Sequence, residues 1–382
     1  MKEIEVLYVY IEANNGYGLS AGTLIDMLNK IEGVNVDLLP INQPNIAKEK
    51  KLKEQYDLMI NHIAVNAFIN DIRSNGYLKM VAGRCKKVFQ YLLWEADRLP
   101  IEHDRFYQKE WIHGFICPSH FIEGMVNKYK GQRKEVHYIP ITTDDVNYNP
   151  GMRTADNVFT VLTVAQLSVR KALDVSVCCF ATAFYKNPHN VRYYIKVGEK
   201  LDNTDVTNLI KANINRCMLP NPNNIYIIED NLPDHEMEKL YLSSDCYLHL
   251  SRGEGFGMTP LTALNYGLPV VYSDWSAHTE FLKEDKRSIP VQGHLDLVHS
   301  MDRKFGFEPE MQWFETNQIS AVKALRDTYK RWEEKKEKYK TPSVVNKYRE
   351  NEVIHLAGKM LGIKEIKLKN VNKVGGMNVV EF

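Results

Sequence analysis

The residues best able to do chemistry in this chain of 382 residues lie in one short stretch. Residues 251–271 read Ser-Arg-Gly-Glu-Gly-Phe-Gly-Met-Thr-Pro-Leu-Thr-Ala-Leu-Asn-Tyr-Gly-Leu-Pro-Val-Val. Gly253, Gly255 and Gly257 allow a tight turn that presents backbone amides. Glu254 stands among them, where a carboxylate can accept hydrogen bonds from hydroxyl groups. An apolar run over 246–250 predicts a buried strand before the turn. Residues 258–266 predict a helix, ended by Gly267 with Pro269 beyond, and 268–272 the next strand. Strand, glycine loop, helix and strand place a helix N-terminus at the carboxyl edge of a parallel sheet, an arrangement that binds anions.

Such a loop needs a sheet to hold it, and the pattern of the whole chain supplies one. Residues 3–11, rich in Val, Ile and Tyr, predict a first strand. Asn14-Asn15-Gly16-Tyr17-Gly18 predicts a turn, and Ser20 an N-cap for a helix running to about Lys30. Further strands are expected over 34–41, 58–63, 88–94 and 114–117, with helical patterns between them. Ile139-Pro140-Ile141 ends this half, and the polar segment 142–156 with Pro150 marks a boundary. A second series begins with a strand over 158–165 and continues with a helix over 173–185. Strands over 191–197 and 225–228 and a helix over 233–243 lead to the glycine loop. Alternating strands and helices predict an α/β fold with doubly wound parallel sheets. We expect two Rossmann-like domains facing a cleft, 1–150 and 151–340. A charged helix is expected over 319–338, a break at Thr341-Pro342-Ser343, and a second helix over 344–361. Residues 362–382 form a tail without an assignment.

Composition narrows the function classes. The chain is 44% hydrophobic and 25% charged, as in soluble globular proteins, and its net charge of +1 gives no global field for nucleic acid. Basic clusters at 48–53, 84–87 and 128–134 read as solvated faces, with contact to a membrane surface or a charged acceptor as the alternative. Cys85, Cys117, Cys178, Cys179, Cys217 and Cys246 show neither zinc spacing nor a disulfide framework, so a reducing, cytoplasmic setting is expected. His113, Cys117 and His120 lie close in sequence but lack a fourth ligand, and packing is the expected role. Neither a signal peptide nor an apolar run that could span a bilayer is expected.

The 251–271 stretch resembles the donor-site signature of the retaining GT-B glycosyltransferases in the "glycosyl transferases group 1" family. Glu254, Gly255, Phe256, Gly257, Gly267, Pro269 and Val270 match it. Thr262 stands where that family has a second glutamate. Residues 160–167 followed by Arg170-Lys171-Ala172-Leu173-Asp174 are similar to the first strand and loop of the family's second domain. Lys171 falls on the lysine that contacts the donor diphosphate. Gln166 occupies the usual arginine position, and Arg170 can supply the missing charge; two solvated cations at a strand end are the alternative. Asn147-Tyr148-Asn149-Pro150 is similar to the family's interdomain linker. Trp94-Glu95-Ala96-Asp97-Arg98-Leu99-Pro100, then Trp111 and Cys117-Pro118-Ser119-His120-Phe121, resemble a subgroup carrying Trp-Glu-x-x-Arg-x-Pro and a later Pro-Ser-x-Phe; Glu95 or Arg98 holding the acceptor is one reading, and an aromatic core residue beside a surface salt bridge the other. His62 falls where the family often has a histidine near the sugar, although a lone histidine is commonly structural. Asp274 and Glu280 also resemble the family pattern and serve equally well as loop and capping residues.

The resemblance implies transfer of a sugar from a nucleotide-sugar donor to an acceptor hydroxyl, with retention. It assigns catalytic roles to Glu254, Lys171, Arg170 and His62. Donor binding falls to Gly18, Gly255, Phe256, Gly257, Met258, Thr259 and Thr262, and acceptor binding to Glu95 and Arg98. No metal or other cofactor is expected, because Lys171, Arg170 and the helix after Gly257 would neutralise the leaving diphosphate and no Asp-x-Asp site is present. The expected acceptor is a glycan, lipid or protein, and segment 341–382 is expected to cross back to the first domain. Two other readings compete. A nucleotide-sugar-binding protein with little or no turnover is suggested by Gln166 and Thr262, since a threonine in place of a carboxylate costs roughly 1–3 kcal/mol of nucleotide affinity. A dehydrogenase is suggested by Gly16-Tyr17-Gly18-Leu19-Ser20-Ala21 with Asp37 on the next strand, but leaves the Glu254 loop unexplained.

Overall fold

The computed structural model describes residues 3–13, 16–42, 52–64, 70–71, 76–128, 134–146, 157–186, 188–198, 208, 210, 212, 215, 224–298, 306–335, 339–369, 372–374 and 377–379. The expected turn at Asn14-Asn15, the linker Asn147-Tyr148-Asn149-Pro150 and Cys217 lie outside these residues, as do 48–51 and 129–133 of the basic clusters. Contacts divide the chain into two compact units. One comprises Met1–Leu93, Leu99–Thr142 and Tyr348–Phe382, the other Trp94–Arg98 and Thr143–Lys347.

The first unit holds a six-stranded sheet of β1 (Ile4–Tyr10), β2 (Val34–Pro40), β3 (Tyr56–His62), β4 (Cys85–Tyr91), β5 (Gly114–Cys117) and β6 (Glu135–Tyr138). Its order is β2-β1-β3-β4-β5-β6, and every pairing is parallel. Strand order reverses between β1 and β3, which creates a switch point at their carboxyl ends. Helix Gly16–Asn29 joins β1 to β2 and begins four residues before the expected cap. Ser20 is therefore an interior helical residue, its hydroxyl donating to Tyr17 O at 2.9 Å. Leu24 and Leu28 of that helix share a core with Val6, Tyr8 and Ile60 of the strands. Val353, Ile354, Ala357 and Met360 belong to the same core, so the C-terminal helix Glu350–Met360 completes the first unit. The single helix expected over 344–361 is divided, because Arg349 adopts an extended conformation (ψ 149°) between a 3-10 turn, Ser343–Tyr348, and that helix.

The second unit repeats the plan. Its strands are β7 (Phe159–Ala165), β8 (Val191–Val197), β9 (Ile225–Ile228), β10 (Cys246–His249), β11 (Val270–Ser273) and β12 (Ile289–Val291). They pair in parallel in the order β12-β11-β10-β7-β8-β9. β10 and β7 lie side by side at the middle and are buried on both faces, which explains why apolar residues dominate them, with Thr160 and Thr163 the polar exceptions in β7. Helix Gln318–Glu333 packs Ala321, Ala324 and Leu325 into this core, with Asn317 capping its start through a 3.0 Å bond from Ser320 N.

An antiparallel hairpin of β13 (Gly293–Leu297) and β14 (Gln312–Thr316) follows β12 and was not anticipated. It explains why Trp94–Arg98 joins the second unit. Asp97 N donates to Gln312 O at 3.0 Å, Gln312 N donates to Asp97 Oδ1 at 2.7 Å, and the Trp94 ring lies 4.8 Å from that of Phe307. At the other boundary, buried Asn265 donates through Nδ2 to Thr143 Oγ1 and Asp144 O. Cys85, Cys117, Cys179 and Cys246 are free thiols. Cys178 is disulfide-bonded, which corrects the expectation of a chain without disulfides. No helix among the described residues is long and apolar enough to cross a membrane.

Candidate active site

β10 ends at His249, and the chain enters the glycine loop at Leu250. Two glycines are required there by close approach. A Cβ on Gly253 would stand 2.0 Å from Glu95 O and 3.1 Å from Trp275 Cζ3. Gly257 has φ +100° and precedes helix Met258–Asn265, and a Cβ on it would meet His278 Cβ at 2.7 Å. The amides that open this helix have no intrahelical acceptor, and Pro260 fits its first turn because no amide is needed there.

Arg252 fastens the loop to the turn after β7. Its amide donates to Arg170 O at 2.7 Å, and its guanidinium bonds Val169 O and, at 2.5 Å, Glu315 Oε1. That turn is a 3-10 segment, Val169–Lys171, followed by Ala172 in the left-handed region at φ 49°, from which helix Leu173–Phe184 departs. The loop and the turn are thus locked together before any ligand is considered.

The result is a compact ion cluster around Glu254, which is 6% exposed. Lys171 Nζ lies 2.5 Å from Glu254 Oε1, and Arg170 Nη1 lies 3.4 Å from Oε2. Arg170 also donates to Gly253 O at 2.7 Å and faces Glu95 Oε1 at 3.4 Å. Burial opposes ionisation of Glu254, but the charges of Lys171 and Arg170 outweigh it and hold the carboxyl well below its ordinary range. Burial pulls the Lys171 ammonium downward, with Glu254 pulling the other way. Glu254 is therefore a carboxylate flanked by two cations, a set suited to accepting hydrogen bonds from hydroxyl groups on one side and neutralising an anion on the other.

Further residues support Glu254 from the interior. Its amide donates to Ser276 Oγ at 3.0 Å, and Ser276 Oγ is 3.4 Å from His278 Nδ1. His278 Nε2 bonds Ser273 O at 2.8 Å, which fixes the ring tautomer. Ser276 itself sits at φ 72°. His249 Nε2 lies 3.5 Å from Glu254 Oε1. None of Ser276, His278 or His249 stands out in the sequence. The one available signal is position, since His249 is the polar end of an otherwise buried central strand.

The remaining expected residues fall in different surroundings. Thr262 is half-buried in helix Met258–Asn265, and its hydroxyl donates to Met258 O at 3.0 Å. Phe256 is buried with its ring 5.9 Å from that of Phe281. Thr259 lies beside the Tyr247 hydroxyl. Gly255, Met258 and Glu254 are contiguous with these in the loop and first turn. Glu95 joins the Glu254 cluster through Arg170, whereas the half-exposed Arg98 pairs with its neighbour Asp97 at 2.9 Å. Asp274 pairs with Lys283 at 2.9 Å. Among the described residues no group of three His, Cys, Asp or Glu side chains is placed to hold a metal ion.

His62 and Gly18 lie in the first unit, at the carboxyl end of β3 and in helix Gly16–Asn29. His62 is buried and stacked on Tyr91, centroids 3.8 Å apart. Its Nδ1 is 2.6 Å from Tyr8 Oη and its Nε2 is 3.0 Å from Ser20 Oγ. With Ser20 donating to Tyr17 O, the ring accepts from Tyr8 and donates to Ser20. Burial pushes its pKa down to about 3, so the ring is neutral. Gly18 is required by backbone approach, since a Cβ there would meet Ala13 O at 1.7 Å. Asp37 Oδ2 accepts from Tyr56 Oη at 2.8 Å, which occupies the acidic residue that a dehydrogenase would need for a ribose.

Residues 152–299, which contain Arg170, Lys171 and the whole glycine loop, match the family model "Glycosyl transferases group 1". A mannosylfructose-phosphate synthase of Agrobacterium fabrum is 24% identical over 163 residues, 39% of this chain. The match spans 35% of that relative, so the chain covers about a third of its length. A glycosyltransferase from Rickettsia africae superposes with a TM-score of 0.68 at 14% identity, covering 94% of this chain and 98% of the other. Anabaena Alr3699/HepE, solved with UDP and glucose, superposes with a TM-score of 0.63 at 14% identity, covering 94% of this chain and all (100%) of the other. The fold is that of these GT-B glycosyltransferases, with a Rossmann-like sheet in each unit.

Proposed function

We propose that this chain, whose residues 152–299 match the glycosyl transferases group 1 family model, transfers a sugar from a nucleotide-sugar donor to an acceptor hydroxyl with retention of anomeric configuration. The observation that carries this reading is the buried Glu254 carboxylate held between Lys171 and Arg170 beside a helix N-terminus. The donor's diphosphate takes the two cations and the first-turn amides of helix Met258–Asn265. Gly255, Phe256, Gly257, Met258 and Thr259 contribute backbone at that place, and the Thr262 hydroxyl accepts from the ribose. Glu254 accepts from sugar hydroxyls. The acceptor is a glycan, lipid or protein hydroxyl, approached by Glu95.

In the reaction the bond between the anomeric carbon and the diphosphate oxygen breaks while the acceptor oxygen bonds the same carbon on the same face. The acceptor proton passes to the departing phosphate oxygen. Lys171 and Arg170 stabilise the charge that develops on that oxygen, the role a metal ion plays elsewhere. We place His62 outside the proton transfers, because both its nitrogens are engaged and its ring is neutral. It is a positioning residue that joins β3 to helix Gly16–Asn29. UDP-sugars are the first donors to try, since the Anabaena neighbour was solved with UDP and glucose.

The test is an assay of UDP-, GDP- and ADP-sugars with hydroxyl acceptors, the product anomer being read by proton NMR. Retention and unchanged rates in EDTA are expected. An inverted product, or a rate lost in EDTA and restored by magnesium or manganese, would reject the mechanism.

A further inference from the structure

His249 is a buried polar residue, 4% exposed, at the end of the central strand β10. Its Nε2 has no hydrogen-bond partner among the described residues. It nevertheless points to Glu254, 3.5 Å from Oε1, the oxygen that Lys171 occupies at 2.5 Å. The ring is held edge-on against His278, centroids 4.9 Å apart at 87°. Burial and the neighbouring His278 push its pKa well below the ordinary value, so it is a neutral imidazole with one N–H to donate. A carboxylate opposite Nε2 favours the tautomer that carries the proton there.

Ser276 and His278 already fix the backbone of Glu254. Its side chain, by contrast, relies on Lys171 and Arg170. On the reading above, those are the cations that a donor diphosphate also attracts. A nearly buried carboxylate that shares its cations with a second anion needs another donor, because an under-paired buried charge is costly.

We infer that His249 is a positioning residue whose Nε2–H closes onto Glu254 Oε1 when a diphosphate draws Lys171 and Arg170 away. This rests on the donor-site reading, in which Lys171 binds the diphosphate. Nothing is transferred; a 3.5 Å approach becomes a hydrogen bond. His249 thereby keeps Glu254 ionised and aligned for the sugar during turnover.

The experiment is calorimetry with UDP, GDP and ADP, using whichever binds the wild-type protein. His249→Leu, which lacks the N–H, should bind about tenfold or more weakly, the effect of losing a hydrogen bond to a charged group. His249→Gln, which keeps a donor, should recover most of the affinity. In a Glu254→Gln background His249→Leu should change affinity less than twofold, because no carboxylate remains to be held. A purely packing role for His249 would give the same loss in both backgrounds, and that result would overturn the proposal. Lys171→Ala separates the two levels. If it binds the diphosphate as the wild type does, or if none of the three nucleotides binds, the donor-site reading falls and this inference with it. If Lys171→Ala loses binding while His249→Leu does not, only the role of His249 is rejected. Should the Leu variant fail to fold, imidazole nitrogen shifts in the wild type decide. The His249 Nε2 resonance should move on diphosphate addition, and an unmoved resonance contradicts the proposal.

Discussion

The Lys171 ammonium and the Glu254 carboxylate meet at 2.5 Å although 83 residues separate them in sequence. The loops after β7 and β10 bring them together, and β7 and β10 are adjacent parallel strands. The pair is therefore a direct product of strand order, at the carboxyl edge where α/β sheets place their ligands.

Glu254→Gln keeps the shape of the side chain and removes its charge. Transfer should fall at least tenfold, a loss of about 1.4 kcal/mol or more in transition-state stabilisation. Lys171 would be left without its closest counter-charge, but Arg170 retains Glu95 and Gly253 O, so the variant should still fold. Steady-state rates with a thermal melt check both points; full activity would remove Glu254 from the mechanism.

Gly253→Ala introduces a Cβ that cannot be placed without moving the Glu95 carbonyl, which would lie 2.0 Å away. Overpacking against backbone of this kind costs about 1–3 kcal/mol. The variant should melt at a lower temperature and lose activity, since the displaced segment carries Glu95, a partner of Arg170. An unchanged melt would mean that Trp94–Arg98 is not seated on the loop in solution.

His62 gives a pH signature. Its pKa is about 3 in the folded protein against an ordinary value near 6.5. Between those values the unfolded chain binds a proton that the folded protein does not, so stability rises with pH through this window and is lost on acidification. His62→Gln should make the dependence between pH 6 and 4 shallower by up to about 1.4 kcal/mol per pH unit, the contribution of one proton. Denaturant melts across that range would show it. The slope will not vanish, because burial also lowers His103 and His278, each to about 4.

The residues that carry the family pattern were readable because chemistry constrains their type and spacing. Glu254 with its glycines and the Arg170-Lys171 pair needed no tertiary knowledge to be singled out. Strands β7 and β10 were readable as predominantly apolar runs. Other features depend on contacts between distant segments. Every residue of β13 is exposed, Leu295 and Leu297 included, so its His-Leu-Asp-Leu alternation marks no buried face, and its pairing emerges only from the Asp97–Gln312 contacts and the core beneath β14. Trp94–Arg98 follows β4 in sequence yet docks on that hairpin, which a linear division at residue 150 cannot express. The early start of helix Gly16–Asn29 follows from tertiary packing, because Ser20 serves His62 rather than a helix cap. His249, Ser276 and His278 carried no spacing signal, since their meaning lies in a shared distance to Glu254.

The most direct test of the account is calorimetric titration with UDP, GDP and ADP of the wild-type protein and of the Arg170→Ala, Lys171→Ala double variant. The wild type should bind at least one of the three. The double variant, without both cations that face Glu254, should bind it at least a hundredfold more weakly while keeping its circular-dichroism spectrum. Equal affinity in the two proteins, or a wild type that binds none of the nucleotides, would contradict the assignment of this cluster as a nucleotide-sugar site.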